Sequence, residues 1–192
     1  MRHTSLLLIA LSALTMGCVH QVNPTVSPAK VPAVSPPIRA HALLLITQSF
    51  EDYVSASSSG IHQFKYHFGQ SAAQALTDLV HESFTDGETR HMSDAEVLQL
   101  LSGPADTKIA DLLLVPSFEA AGSHDRFLDI QAEVKLRLNV RSMVMSTSYS
   151  WATVGGSTRV VSSRGGLTGS ALENALKAMS DTLAAHRAEL ER

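Results

Sequence analysis

The chain has one cysteine in 192 residues, Cys18. An intramolecular disulfide is therefore excluded, and so is any metal site built on two or more thiolates. Aromatic residues make up only 5%, so the core must be mostly aliphatic. Positive charge is sparse and scattered. The 15 Lys and Arg against 18 Asp and Glu leave a net charge of -3, and no basic run could neutralise a row of phosphates, which sets nucleic acid aside as a partner. No apolar run reaches the ~20 residues that a lasting membrane-crossing helix needs. What is present, 44% apolar and 17% charged residues, suits one globular domain with appendages.

The N-terminus is organised as an export signal. Arg2 and His3 precede a mostly apolar stretch from Leu6 to Leu14, and Thr15-Met16-Gly17-Cys18 follows at once. Too short to span a bilayer, such a run is expected to be cleaved. A cysteine just behind a small residue at its end resembles a bacterial lipobox, although Thr15 stands where such boxes carry Leu, and Leu14 lies one place earlier. The resemblance implies cleavage before Cys18 and acylation of its thiol; the alternative is an ordinary signal peptide with an incidental cysteine. Acyl chains would anchor the protein firmly, at about 0.8 kcal/mol per buried CH₂, and would leave the mature chain without a free thiol. Val19 follows where some lipoprotein families carry an Asp that retains them at the inner membrane. Its absence implies, by the same resemblance, an outer-membrane anchor facing the periplasm.

Residues 1–17 are thus read as signal peptide. Residues 18–40 hold five of the seven prolines, Pro24, Pro28, Pro32, Pro36 and Pro37. Each removes an amide donor that regular structure needs, so this stretch is expected to be a disordered, semi-extended tether. Residues 41–192 are expected to form a single α+β domain.

One stretch sets the pattern of that domain. From Leu128 to Val140 every second residue is apolar (Leu128, Ile130, Ala132, Val134, Leu136, Leu138, Val140) and every residue between is polar. Successive side chains on an extended chain face opposite ways, so this is a long strand with one dry face, fit for a largely antiparallel or mixed sheet covered by helices on one side. Apolar runs over residues 42–46 and 111–115 predict buried strands, the second closed by Pro116. Phe64, Tyr66 and Phe68 predict a strand with an aromatic face, and residues 88–92 a weaker one. Ser55 to Gly60 reads as a small-residue loop. After Val140 the apolar phase shifts to Met143, Met145, Tyr149 and Trp151, which marks a turn or bulge at Arg141-Ser142. Gly155-Gly156 is a two-residue hairpin signal, with a further strand around residues 158–162.

Three helices are expected, each behind a capping box: Ser71-x-x-Gln74, Ser93-x-x-Glu96 and Ser170-x-x-Glu173. In such a box the serine hydroxyl takes a free amide and the Glu or Gln reaches back. Apolar seams follow each; the last runs Leu172, Leu176, Met179, Leu183, His186, Leu190, and a core-facing role is expected for it.

No constellation predicts catalysis. Ser123-His124-Asp125 holds the letters of a triad, but adjacent residues splay apart where a relay needs convergence. No G-x-S-x-G elbow, HxH or HExxH occurs, so neither a metal nor another cofactor is expected. Arg164-Gly165-Gly166, ahead of the last helix, is a weak candidate anion contact. Met143, Met145, Tyr149 and Trp151 are expected in the core; if exposed, they are the candidate partner surface.

The lipidated cysteine, the Pro-rich stretch, the Ser-capped helix after Gly69, the long alternating strands and the final amphipathic helix together resemble a group of small envelope lipoproteins. These are the LPS-assembly lipoprotein family, the YajG-like lipoproteins, and the α+β modules of curli and flagellar outer-membrane accessory proteins. The resemblance implies a non-enzymatic accessory that docks on, or helps assemble, an envelope complex, with the membrane and an envelope protein as partners. The alternative is a carrier for a small apolar or lipidic ligand between sheet and helices, where Ala72, Ala73, Ala132 and Ala175 would leave room. Oligomeric state is not legible in the sequence.

Overall fold

The computed structural model describes residues 18–125, 129–159 and 163–191. The signal stretch, Leu128 and residues 160–162 lie outside the described residues. The protein is α+β, with a mixed five-stranded sheet, a three-stranded sheet, and helices packed against the larger one.

The alternating stretch forms β7, Ile130–Ser142. Ala132, Val134, Leu136, Leu138 and Val140 are buried, and the polar residues between them point the other way. β6 (Leu112–Asp125) and β8 (Ser148–Arg159) pair antiparallel with β7, while β2 (Ile38–Thr47) pairs parallel with β6 and with β5 (Phe84–Met92). The order across the sheet is β5-β2-β6-β7-β8. Pro116 does not close β6 but lies inside it, opposite Leu138. Pairing with β2 stops at Leu114, and beyond that point β6 has an open edge where a missing amide costs nothing.

Two helices cover the dry face: α2 (Phe68–Ser83) and α4 (Arg164–Ala185), joined at their inner sides by one apolar cluster. Leu172, Leu176, Met179 and Leu183 of the last seam lie in it, as does Leu190 of the short α5 (Arg187–Leu190). The smaller α3 (Asp94–Ser102) covers part of the other face. There Leu43, Leu45 and Leu113 meet Val97 and Met143, which explains why β2 reads as a continuous apolar run: its centre is buried on both sides.

Ser55 to Gly60 is not a loop. Val54–Ser59 is β3, antiparallel to β4 (His62–His67), because its alternate serines face inward and Ser57 meets the Tyr66 hydroxyl at 3.1 Å. A one-turn helix, α1 (Gln48–Glu51), links β2 to β3. Tyr66 and Phe68 are fully buried, and Phe118 stacks on Phe50 and Tyr53 at centroid distances of 4.8 and 4.2 Å.

One glycine signal and one turn resolve differently from expectation. Gly155-Gly156 is no hairpin; β8 runs straight through it. A Cβ on Gly155 would stand 2.1 Å from the Ala171 carbonyl oxygen and 2.2 Å from the Ala175 nitrogen, so the glycine lets α4 lie on the sheet. The chain reversal after β7 occupies residues 143–147, where Ser142 N–H donates to the Thr147 carbonyl at 2.8 Å.

Only one of the three capping boxes caps a helix. Ser93 and Glu96 reciprocate at the start of α3. α2 begins at Phe68 and α4 at Arg164, capped by Ser163, so Ser71 and Ser170 lie inside helices.

Candidate functional site

Residues 18–37, expected to be a loose tether, are instead strapped across α2 and α4. β1 (Cys18–Val22) joins the smaller sheet in parallel with β4, giving the order β1-β4-β3. A 3-10 turn, Pro28–Lys30, follows, and Val31, Val34 and Ile38 enter the main core. Proline-rich chain cannot supply its own ladder, so the helices supply the partners. Ser71 Oγ donates to the Pro24 carbonyl at 2.7 Å, Ser180 Oγ to the Pro32 carbonyl at 2.5 Å, and Val34 N–H to Ser83 Oγ at 3.0 Å. Glu173, 6% exposed, accepts from Ser27 N–H at 2.8 Å and from Lys30 Nζ at 3.1 Å. Arg187 reaches the carbonyls of Pro36 and Pro37.

Of the glycines ahead of the expected last helix, Gly165 and Gly169 serve the same contact. Gly165 and Gly166 belong to the first turn of α4, and a Cβ on Gly165 would stand 3.2 Å from the Asn23 carbonyl oxygen. At Gly169 a Cβ would stand 2.1 Å from the Thr25 carbonyl oxygen. The bare helix face is thus where the strap lies. Arg164 is also engaged within the protein. Its guanidinium donates to Asp125 Oδ1 at 2.6 Å and to Ser123 Oγ at 3.1 Å, and sits 3.9 Å over the Phe64 ring. The candidate anion contact is corrected accordingly: the Arg164 charge is already paired with Asp125 and Gly165 lies against the strap, while Gly166 is exposed. Asp125 is held below the ordinary carboxylate range by the Ser59 hydroxyl and by Arg164, against burial, which pushes it up.

Ser123 and Asp125 therefore converge on Arg164, with Tyr66 2.5 Å from Ser123. They alternate with exposed His124 along β6, and the three residues form no relay. Met143, Met145, Tyr149 and Trp151 do not form one exposed row. Met143 is buried with α3, Trp151 is half-buried and stacked on His186 at 4.8 Å, Tyr149 is half-buried beside it, and Met145 is exposed in the turn. The row spans a turn and two clusters, so sequence adjacency does not make it a surface.

One set among the described residues brings three metal-ligand types together: His41, Asp86 and Glu88, with ligand atoms within 4.8 Å of one another. Asp86 and Glu88 are exposed and Glu88 is shared with Arg90 at 3.4 Å, so the set is explained as a surface charge cluster. Ala72, Ala73, Ala132 and Ala175, the residues that the carrier alternative relies on for room, are buried in the main core. A cavity of about 260 Å³ lies elsewhere, between the strap and α2, lined by Val26, Val31, Ala75 and Leu79 with Asp78 and Glu82 among its polar residues.

At the start of the strap, Cys18 is exposed and stands opposite His62. His20 Nε2 and His62 Nδ1 are 2.9 Å apart, and His20 stacks on Phe64 at 4.9 Å. Among the described residues no helix is long and apolar enough to cross a membrane.

No protein-family model matches the chain, and no curated protein sequence matches it. Among solved structures, a DUF330 protein from Xanthomonas campestris is 11% identical, with 86% of this chain and 92% of that chain covered at a TM-score of 0.45. Lipoprotein GNA1162 from Neisseria meningitidis is 11% identical, over 78% and 99% of the two chains, at a TM-score of 0.37. PelC from Paraburkholderia phytofirmans, solved as a dodecamer, is 15% identical over 78% and 90%, at a TM-score of 0.44.

Proposed function

We propose that this chain is a lipoprotein of the bacterial envelope, acylated at Cys18, held at the outer membrane facing the periplasm, and acting as a non-enzymatic structural or assembly accessory. One observation carries the reading. The strap behind Cys18 is bonded to α2 and α4 rather than loose, so acyl chains there would hold the whole domain at the membrane. The polar face of β7 and the edge strands β5 and β8 then remain for a protein partner, which strand edges serve by adding a strand.

The test is expression of the full-length chain in a Gram-negative host, mass measurement of its N-terminal peptide, and cross-linking in intact cells before membrane extraction. An acylated peptide and one stoichiometric envelope protein support the reading. A product that is unacylated and leaves the cell envelope without detergent sinks it. The second reading, carriage of a small apolar ligand, is favoured by the cavity between strap and α2; co-extracted lipid without a protein partner would select it.

A further inference from the structure

An acyl anchor at Cys18 brings its neighbours to the lipid as well. Cys18 and His62 are partners in the β1–β4 ladder. Parallel strands lie about 4.8 Å apart and consecutive Cα atoms about 3.8 Å apart, so Ile61 stands within roughly 10 Å of the acylation position. Ile61 follows Gly60, which takes the left-handed conformation at φ 58° and turns β3 into β4. At 71% exposed, Ile61 is the barest large apolar residue among those described, and Val19, next to Cys18, is 50% exposed. No slack lies between anchor and domain, because β1 is paired along its whole length. Charge agrees: β1, β3 and β4 carry no acidic residue, while β4 carries Lys65. The nearby Asp125 carboxylate is paired with Arg164.

We infer that the β3–β4 tip, with Ile61 at its apex and Val19 beside it, is a membrane-contact surface that seats the domain directly on a phospholipid bilayer next to its acyl anchor. This rests on acylation of Cys18. Exposed isoleucine and valine enter the interface while the acid-free strands face anionic headgroups.

Acylation also supplies the means of testing it. With the Cys18 thiol consumed, Ile61→Cys carries the only free thiol and takes an environment-sensitive fluorophore; Leu98→Cys on α3, 63% exposed, serves as the control. The mature acylated protein, its N-terminal peptide verified by mass, is placed in vesicles of phosphatidylethanolamine with a minority of phosphatidylglycerol. The label at 61 is expected to shift to the blue and to be quenched several-fold more strongly by nitroxide lipids than the label at 98. Equal, weak quenching at both positions on verified acylated protein overturns the inference while leaving the anchor standing. A blue shift at 61 that grows with protein density and resists lipid quenching overturns it too, because a second copy then covers the tip. Absence of the acyl mass overturns both readings.

Discussion

Replacing Gly169 by alanine sets two effects of opposite sign against each other. Gly169 lies within α4, where alanine is better than glycine by about 1 kcal/mol. The new Cβ, however, would stand 2.1 Å from the Thr25 carbonyl oxygen, more than an ångström inside ordinary contact, and that oxygen is backbone. The strap must therefore retreat. Retreat breaks the Ser27 amide's bond to Glu173, 2.8 Å long, and the Ser71 bond to the Pro24 carbonyl, 2.7 Å long. Such bonds contribute about 0.5–1.5 kcal/mol each, and about 1.5–3 kcal/mol when the acceptor is charged. The strap should lose about 2–4 kcal/mol of its hold, which raises its open population roughly 30- to 900-fold, while the helix itself gains. Trypsin reads this directly. Lys30 is the only Lys or Arg between Cys18 and Arg39, and Val31 after it is 8% exposed, so cleavage there requires opening. Gly169→Ala should be cut at Lys30 far faster than the parent, and its urea midpoint should fall, because the strap's loss exceeds the helix's gain of about 1 kcal/mol. Equal cutting rates in parent and variant would refute the placement of the strap on this helix face.

Gly155→Ala should lower stability by about 1–3 kcal/mol in urea unfolding, the usual cost of overpacking, because its Cβ meets α4 backbone. Gly156→Ala, whose nearest such contact is 4.0 Å, should change it by less than about 0.5 kcal/mol. Ser93→Ala should cost about 1 kcal/mol as a lost helix cap, whereas Ser170→Ala, inside α4, should be neutral within about 0.5 kcal/mol in the same assay. Asp125 is depressed by the Ser59 hydroxyl and by Arg164, so its stabilisation is present above the unfolded-chain value of about 3.9 and fades as pH falls through the lower folded value. Asp125→Asn should be less stable than the parent at neutral pH, and the gap should close in acid; a gap that widens on acidification would contradict the sign.

The period-two stretch was legible because a one-residue slip would move its whole apolar set to the wrong face, and the structure keeps Ala132 to Val140 in phase. The apolar run at 42–46 was equally plain, since a strand covered on both faces has no polar side to hide it. Glycine and serine misled for a common reason. Gly155, Gly165 and Gly169 serve close approach of another backbone, and Ser71 and Ser180 bind strap carbonyls. Local rules read Gly155 as a turn and Ser71 as a cap because the partner lies far away in sequence: Ser71 is 47 residues from Pro24. The same distance hid the strap. Prolines announce that a segment cannot pair with itself, but nothing local announces that two helices will satisfy it. Val31, Val34 and Ile38, spaced among the prolines, were the available signal, for a free tether has no use for buried aliphatics. The pairing of Cys18 with His62 was not legible in the sequence, because it depends on that strap.

Amide hydrogen exchange across residues 19–35 of the parent protein tests this most directly. A strap folded onto α2 and α4 predicts slow exchange at Ser27 and Val34, whose amides are held by Glu173 and Ser83, and at the paired amides of β1. Exchange at the rate of an unstructured chain throughout that segment, with the domain's core strands still protected, would contradict it.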